Sequence, residues 1–199
     1  MELKNDLVLL RPMVEADIAD RLYWETVENE WHDWDGPWDY EGKSAEELAA
    51  ELAEDERLWR SRIAGPPEQA PVRHLEICVN GPGQPHIGWC GAYPIDDACC
   101  ISETGQRWAV GITIPGADAR RKGYATAALT LYLGYLASCG LTEAYTQTWS
   151  GNQRMIGLAR KLGFRETMRK PGLRRVRGAA YDGLTFRLDL DAFRPAIHS

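Results

Sequence analysis

The 199-residue sequence predicts one mixed α/β domain, and three observations carry that prediction. Runs with strand character interleave with runs of helical period. No linker, repeat or low-complexity segment divides the chain. Its 44% hydrophobic and 26% charged residues suit a folded protein with a core of its own, which rules out disorder as the main state.

Leu7-Val8-Leu9-Leu10, closed by Arg11-Pro12, reads as a first strand. From Val14 to Val27, Val14, Ile18, Leu22 and Tyr23 recur at helical spacing. Residues 30–41 keep neither period and contain Gly36-Pro37, so they form a loop. Ser44 with Glu47 is a capping-box signature that opens a helix running to Arg62, and Gly65-Pro66-Pro67 breaks it. His74–Val79 and Ile87–Tyr93 flank the turn Gly81-Pro82-Gly83, and Arg107–Ile114 alternates up to Pro115. A helix from Gly123 to Ser138 stops at Gly140. Thr142–Trp149 reads as a strand, Asn152–Leu162 as a helix, and the tail holds Phe164–Met168 and a strand over Leu184–Leu190.

No apolar run approaches the roughly 18 residues that span a bilayer, and Met1–Asp6 has no signal-peptide hydrophobic region. Cysteines 78, 90, 99, 100 and 139 are odd in number and lack CxxC spacing. Reduced thiols, a cytoplasmic location and no metal are the expectation. The net charge of −6 is uneven: residues 1–60 carry 6 Lys/Arg against 18 Asp/Glu, and residues 151–199 carry 11 against 4. A uniformly basic nucleic-acid binder is disfavoured, and an acidic front with a basic rear suits two ligands, one cationic and one anionic.

Ala119-Arg120-Arg121-Lys122-Gly123-Tyr124-Ala125-Thr126 lies between a strand and an Ala-rich helix. A helix start leaves backbone N–H groups unpaired and concentrates positive dipole, which makes it an anion site. Gly123 lets backbone approach a phosphate, Ala125 leaves room, Thr126 offers a hydroxyl, and three cations add attraction. The spacing is neither that of a Walker loop nor that of the Rossmann fingerprint.

This segment resembles the acetyl-CoA pyrophosphate loop of the GNAT acyltransferases, Q/R-x-x-G-x-G/A, at Arg120, Gly123 and Ala125. Ser150-Gly151-Asn152, Arg154-Met155-Ile156 and Leu162-Gly163-Phe164 resemble the strand-to-helix segment that follows in that family. Leu9-Leu10-Arg11-Pro12 with Asp17 is similar to its Rim-type branch, which holds ribosomal-protein N-terminal and small-amine acetyltransferases. The resemblance spans residues 7–190 and implies one acetyltransferase domain over 1–199, with a mixed, mostly antiparallel sheet flanked by helices. It further implies acetyl-CoA as co-substrate, its pyrophosphate on the N–H groups of Arg121, Lys122, Gly123, Tyr124, Ala125 and Thr126. By the same resemblance, the pantetheine arm pairs with the edge at Ile112-Thr113-Ile114 and hydrogen-bonds Asn152. The strands ending near Ile114 and Trp149 are expected to splay around the thioester, where amide N–H groups stabilise the oxyanion.

The family's general-acid tyrosine corresponds to Ala159 here, and the Rim-type serine to Met155, so neither acid is present. A CoA thiol leaves readily as thiolate without one. The strand Arg107–Ile114 also lacks a base, so a carboxylate elsewhere must collect the amine's proton, and Asp33 and Asp35 in the 30–41 loop are the candidates. That loop joins Trp31, Trp34 and Trp38 to these carboxylates, a set suited to a cationic amine or aminosugar. The alternative is that the tryptophans only pack the loop on the core. The basic run Arg169-Lys170, Arg174, Arg175 and Arg177 reads as a solvated loop. The reading is thus an N-acetyltransferase, monomer or homodimer, acting on a small cationic amine such as an aminoglycoside-type antibiotic. A protein or peptide N-terminus is the second acceptor class, and a non-catalytic acyl-CoA-binding module the rival from another class.

Overall fold

The computed structural model describes residues 1–193; the last six residues of the expected 1–199 domain lie outside them. In chain order the elements are β1 (Leu3–Lys4), β2 (Val8–Arg11), α1 (Asp17–Thr26), α2 (Ala45–Ala64), β3 (His74–Val79) and β4 (His86–Ile95). There follow β5 (Arg107–Thr113), α3 (Tyr124–Ser138), β6 (Glu143–Trp149), α4 (Gln153–Lys161), β7 (Arg165–Val176) and β8 (Ala179–Asp189). Among the described residues, eight strands form one sheet in the order β1-β2-β3-β4-β5-β6-β8-β7. The neighbours pair antiparallel except β5 and β6, which run parallel.

Local chemistry explains the element ends. Ser44 Oγ accepts from the Glu47 N–H while the Glu47 carboxylate accepts from the Ser44 N–H, so the expected capping box opens α2. The first helix begins at Asp17 rather than Val14 because the Asp17 carboxylate is taken by the turn before it. It accepts from the Val14 N–H at 2.8 Å and from both Arg11 Nη atoms at 2.6 and 2.7 Å. That bidentate pair ties the first long strand to the first helix.

The basic run is a strand, which corrects its reading as a solvated loop. Arg177 and Gly178 both take positive φ, 49° and 79°, and turn β7 tightly back into β8. Nine of the twelve β7 residues are exposed because β7 is the sheet's edge, so no apolar alternation marked it.

The main core lies where α3 and α4 cover the sheet. Leu129, Tyr132, Leu133 and Leu136 of α3 are fully buried against Leu10, Leu75, Ile77, Val110 and Phe186. Tyr132 keeps its hydroxyl satisfied by donating to the Val72 carbonyl at 2.7 Å. A polar core holds α1 to the strands. Buried Glu76 accepts from Arg21 at 2.9 Å and faces His86 Nε2 at 2.9 Å, and the Arg21 guanidinium lies 3.5 Å over Trp89. This anchors the segment leading into the 30–41 loop.

Candidate active site

The site begins where the parallel pair comes apart. β5 and β6 share one paired position, Ala109 with Tyr145, and Thr146 Oγ1 donates to the Val110 carbonyl at 2.8 Å. Beyond it the strands splay. Along β5 the backbone groups alternate sides. The Val110 carbonyl faces β6, so Ile112 and Ile114 turn their N–H and C=O groups toward the gap while Gly111 and Thr113 bond to β4. Of the expected edge Ile112-Thr113-Ile114, Ile112 offers both groups to an extended arm. The Ile114 carbonyl is taken by Arg120 Nε at 3.1 Å. Thr113 contributes its side chain instead, donating to Asp35 Oδ2 at 2.7 Å.

At the start of α3, Arg121 and Gly123 adopt positive φ, 63° and 88°, and no side chain caps the helix. The first-turn N–H groups of Tyr124, Ala125 and Thr126 therefore point outward with the positive end of the helix dipole. A Cβ at Gly123 would meet only Leu7 Cδ1 at 3.7 Å, so the space in front of the loop is open. These residues fit a pyrophosphate. Arg121 and Lys122 are exposed beside it. Arg120 is not: it binds the Ile114 and Pro115 carbonyls and pairs with Glu30, acting as a strut rather than a phosphate ligand.

Asn152 also differs from expectation. Its Oδ1 caps α4 by accepting from the Met155 N–H at 2.9 Å, and its Nδ2 donates to the Trp34 carbonyl at 2.8 Å. The buried amide is committed to the fold, not open to a pantetheine arm. Ala159, where the general acid was missed, is buried in the main core.

The 30–41 loop folds into two single helical turns, Glu30–Asp33 and Pro37–Asp39, and lies across the splayed strands. Trp31 is 7% exposed, donates to the Trp24 carbonyl and meets Trp89 edge-on, so it is a core residue and not one that meets an acceptor. Trp34 donates its indole N–H to Glu30 and carries the Arg154 guanidinium 3.9 Å over its ring. Trp149 Nε1 joins Asn152 on the Trp34 carbonyl, at 2.9 Å. Trp38 has Arg174 4.2 Å over its ring. Arginines of this chain thus occupy the stacking partners' place expected for an acceptor at both tryptophans. Asp33 is exposed and paired with Arg177 at the hairpin tip.

Asp35 is different. Solvent reaches it, yet protein atoms crowd around its carboxylate. Loss of hydration raises its pKa, the Thr113 hydrogen bond works against that rise, and the nearby Asp39 and Glu25 charges add to it. Glu30 shows the opposite balance. Partial burial opposes its charge, but Arg120, Trp34 and Arg154 together bring its pKa down to about 2. Next to the loop, a cavity of about 660 Å³ opens between α1 and α2, lined by Glu25, Asp39, Tyr40, Glu51, Leu52 and Asp55. Burial, with Glu25 and Glu51 nearby, raises the Asp55 pKa as well.

A splayed parallel pair beside an uncapped helix start is an acyl-CoA geometry, and the family model of the acetyltransferase (GNAT) domain matches residues 8–165. The chain belongs to the GNAT acetyltransferase family. As a GNAT acetyltransferase it is an acetyl-CoA-dependent enzyme, with the thioester as acyl donor. No curated protein sequence matches it. Among solved structures, this GNAT enzyme is similar to a GNAT-family acetyltransferase from Bacillus anthracis at 12% identity and a TM-score of 0.68, covering 96% of this chain and 99% of that one. Spermidine N-acetyltransferase from Vibrio cholerae, in complex with CoA and spermine, aligns at 16% identity and a TM-score of 0.66, covering 94% and 98%. RimL, a ribosomal L7/L12 alpha-N-protein acetyltransferase in complex with coenzyme A, aligns at 13% and 0.67, covering 96% and 99%. At these identities the likeness is one of fold.

Sequence reasoning missed Glu30, Trp149 and Arg177 as parts of this GNAT site. Glu30 and Arg120 are 90 positions apart, and Trp34 and Trp149 are 115 apart. No local pattern links them.

Proposed function

We propose that this enzyme transfers acetyl directly to a primary amine of a small acceptor that carries further positive charge, a class that includes polyamines and aminoglycoside-type aminosugars. The observation that carries the reading is Asp35, held by Thr113 at the open end of the splay and continuous in charge with Asp39 and Glu25 of the 660 Å³ cavity. Glu30 and Asp33 are paired with arginines and Glu25 faces His32 at 3.0 Å, so in this set the negative charge with no cationic partner among the described residues lies on Asp35 and Asp39.

Acetyl-CoA supplies a thioester carbonyl for the amine to attack and a thiolate that leaves. The chain's share is positioning and proton handling. The first-turn N–H groups of α3 fix the pyrophosphate, and the Ile112 backbone aligns the arm. N–H groups on the gap side of β5 stabilise the oxyanion. Asp35 takes the amine's proton, directly or through one water; its raised pKa brings its basicity nearer to neutrality than that of an ordinary carboxylate. The carboxylates of the cavity hold a remote ammonium of the acceptor.

A peptide N-terminus is the second reading. It is favoured by a shallow 220 Å³ cavity between the loop and the hairpin tip, lined by His32, Asp33, Tyr40, Glu41 and Arg177, which lies open at the surface. Mass spectrometry of acetylated products across a panel of polyamines, aminosugars and peptides tests the choice. Turnover of polyamines or aminosugars with inert peptides is expected, and acetylation of peptides alone overturns it.

A further inference from the structure

The face of β5 that looks toward the acceptor loop has a hole in it. Ala109, Gly111 and Thr113 share that face, as the Thr113 bond to Asp35 shows. An added Cβ at Gly111 would meet no heavy atom within 4 Å. Its partner across β4 is Gly91, which brings no side chain either. On the other side β6 has already splayed away. Two side chains bound the hole toward the closed end of the strands: the Tyr93 hydroxyl donates to Gln147 Oε1 at 3.2 Å, and Gln147 Nε2 donates to the Cys99 carbonyl at 2.7 Å. Thr113 and Asp35 bound it toward the open end. Burial raises the Tyr93 pKa to about 12, and the charge of Asp35 adds to the rise.

We propose that the space over Gly111 seats the acceptor's reacting aminomethylene group, with Tyr93 and Gln147 as its inner wall, and that Gly111 sets how bulky that group can be. The inference rests on the acceptor entering from the loop side of the sheet, as in the reading above, but not on which amine it is. An extended arm lies in the plane of the sheet along the Ile112 edge, whereas a side chain at position 111 projects perpendicular to it. A methyl there fills the acceptor's seat and leaves the arm alone.

The test is the series Gly111→Ala and Gly111→Val, assayed with acetyl-CoA and with spermidine or a short peptide as acceptor. Gly111 lies outside the left-handed region and its Cβ space is empty, so the Ala variant keeps the fold. Its melting temperature is expected not to fall, since Ala orders the unfolded chain less expensively than Gly. The acetyl-CoA Kd is expected to stay unchanged. For the acceptor, kcat/KM is expected to drop on the order of 10-fold or more for Ala, and further for Val. Acceptor kinetics equal to wild type in both variants overturn the seat. If wild type turns over neither probe, calorimetric binding of spermidine and of the peptide to the CoA-bound enzyme replaces turnover; binding of either that is unmoved by Gly111→Ala overturns the seat, and absence of binding by both overturns the acceptor reading on which it rests. A wild type active on the peptide alone, with loss of that activity in Gly111→Ala, overturns the polyamine reading and upholds the seat.

Discussion

The parts of this enzyme that we propose for donor and for acceptor are made of different materials. The donor half is backbone: a helix start with free N–H groups, and a strand edge exposed where β5 parts from β6. The acceptor half is side chain: a loop of tryptophans and carboxylates pinned by arginines from α3's entry, α4 and the β7–β8 turn. Backbone recognition depends on few residue identities, so it survives in a short motif. Side-chain recognition is assembled from far along the chain and leaves little trace in any one segment.

The largest expected effect comes from putting a side chain into the backbone half. Gly123→Glu places bulk and negative charge in front of the α3 N–H groups, so acetyl-CoA binding by calorimetry is expected to vanish. The cost in stability is confined to the positive φ, about 1–2 kcal/mol, and is read as a lowered melting temperature. Unchanged affinity would break the assignment of the donor half.

Next in size is Asp35→Asn. Losing one charged hydrogen-bonding group costs about 1.5–3 kcal/mol, on the order of 10- to 150-fold in kcat/KM. The acetyl-CoA Kd is expected to hold. In wild type the ionised carboxylate is the active form and its pKa is raised, so activity is lost as pH falls, at a higher pH than for an ordinary carboxylate. The Asn variant is expected to lack that acid limb. Because ionised Asp35 is disfavoured in the fold at neutral pH, the variant is also expected to melt no lower than wild type. A pH profile identical to wild type would remove Asp35 as the proton acceptor.

The smallest effect sharpens the contrast inside the loop. Asp33 is paired with Arg177 at the surface, and such pairs contribute less than about 1 kcal/mol. Asp33→Asn is therefore expected to leave melting temperature and kcat/KM close to wild type. A loss equal to that of Asp35→Asn would mean that both carboxylates handle the acceptor.

Most element boundaries were legible because they are set by local chemistry. Ser44 with Glu47 fixes the start of α2, and Gly123 and Gly140 bracket α3. The strand β7 was not, since an edge strand with cations on both faces carries no periodic signal. At the site, Arg120, Gly123 and Ala125 marked the loop that enters α3, but the direction of the Arg120 side chain depends on Glu30 and on two carbonyls after β5. Trp31, Trp34 and Trp38 looked equivalent in sequence. Packing separates them into a core residue and two rings already covered by Arg154 and Arg174. Gly111 in the middle of a strand was a signal left unread, for a glycine there often marks a close approach.

The Arg120–Glu30 strut and the grip of Trp149 and Asn152 on the Trp34 carbonyl have a consequence for how such an enzyme diversifies. A new acceptor loop cannot be spliced in by matching its ends alone, because three of its anchors, Arg120, Trp149 and Asn152, lie far along the chain outside it. Glu30 must be inherited with Arg120, whereas the grip on residue 34 uses a carbonyl that any amino acid supplies. Specificity is thus free to drift at positions 33 to 41 other than Asp35, while a transplant that drops Glu30 is expected to unsettle the phosphate loop of its new host.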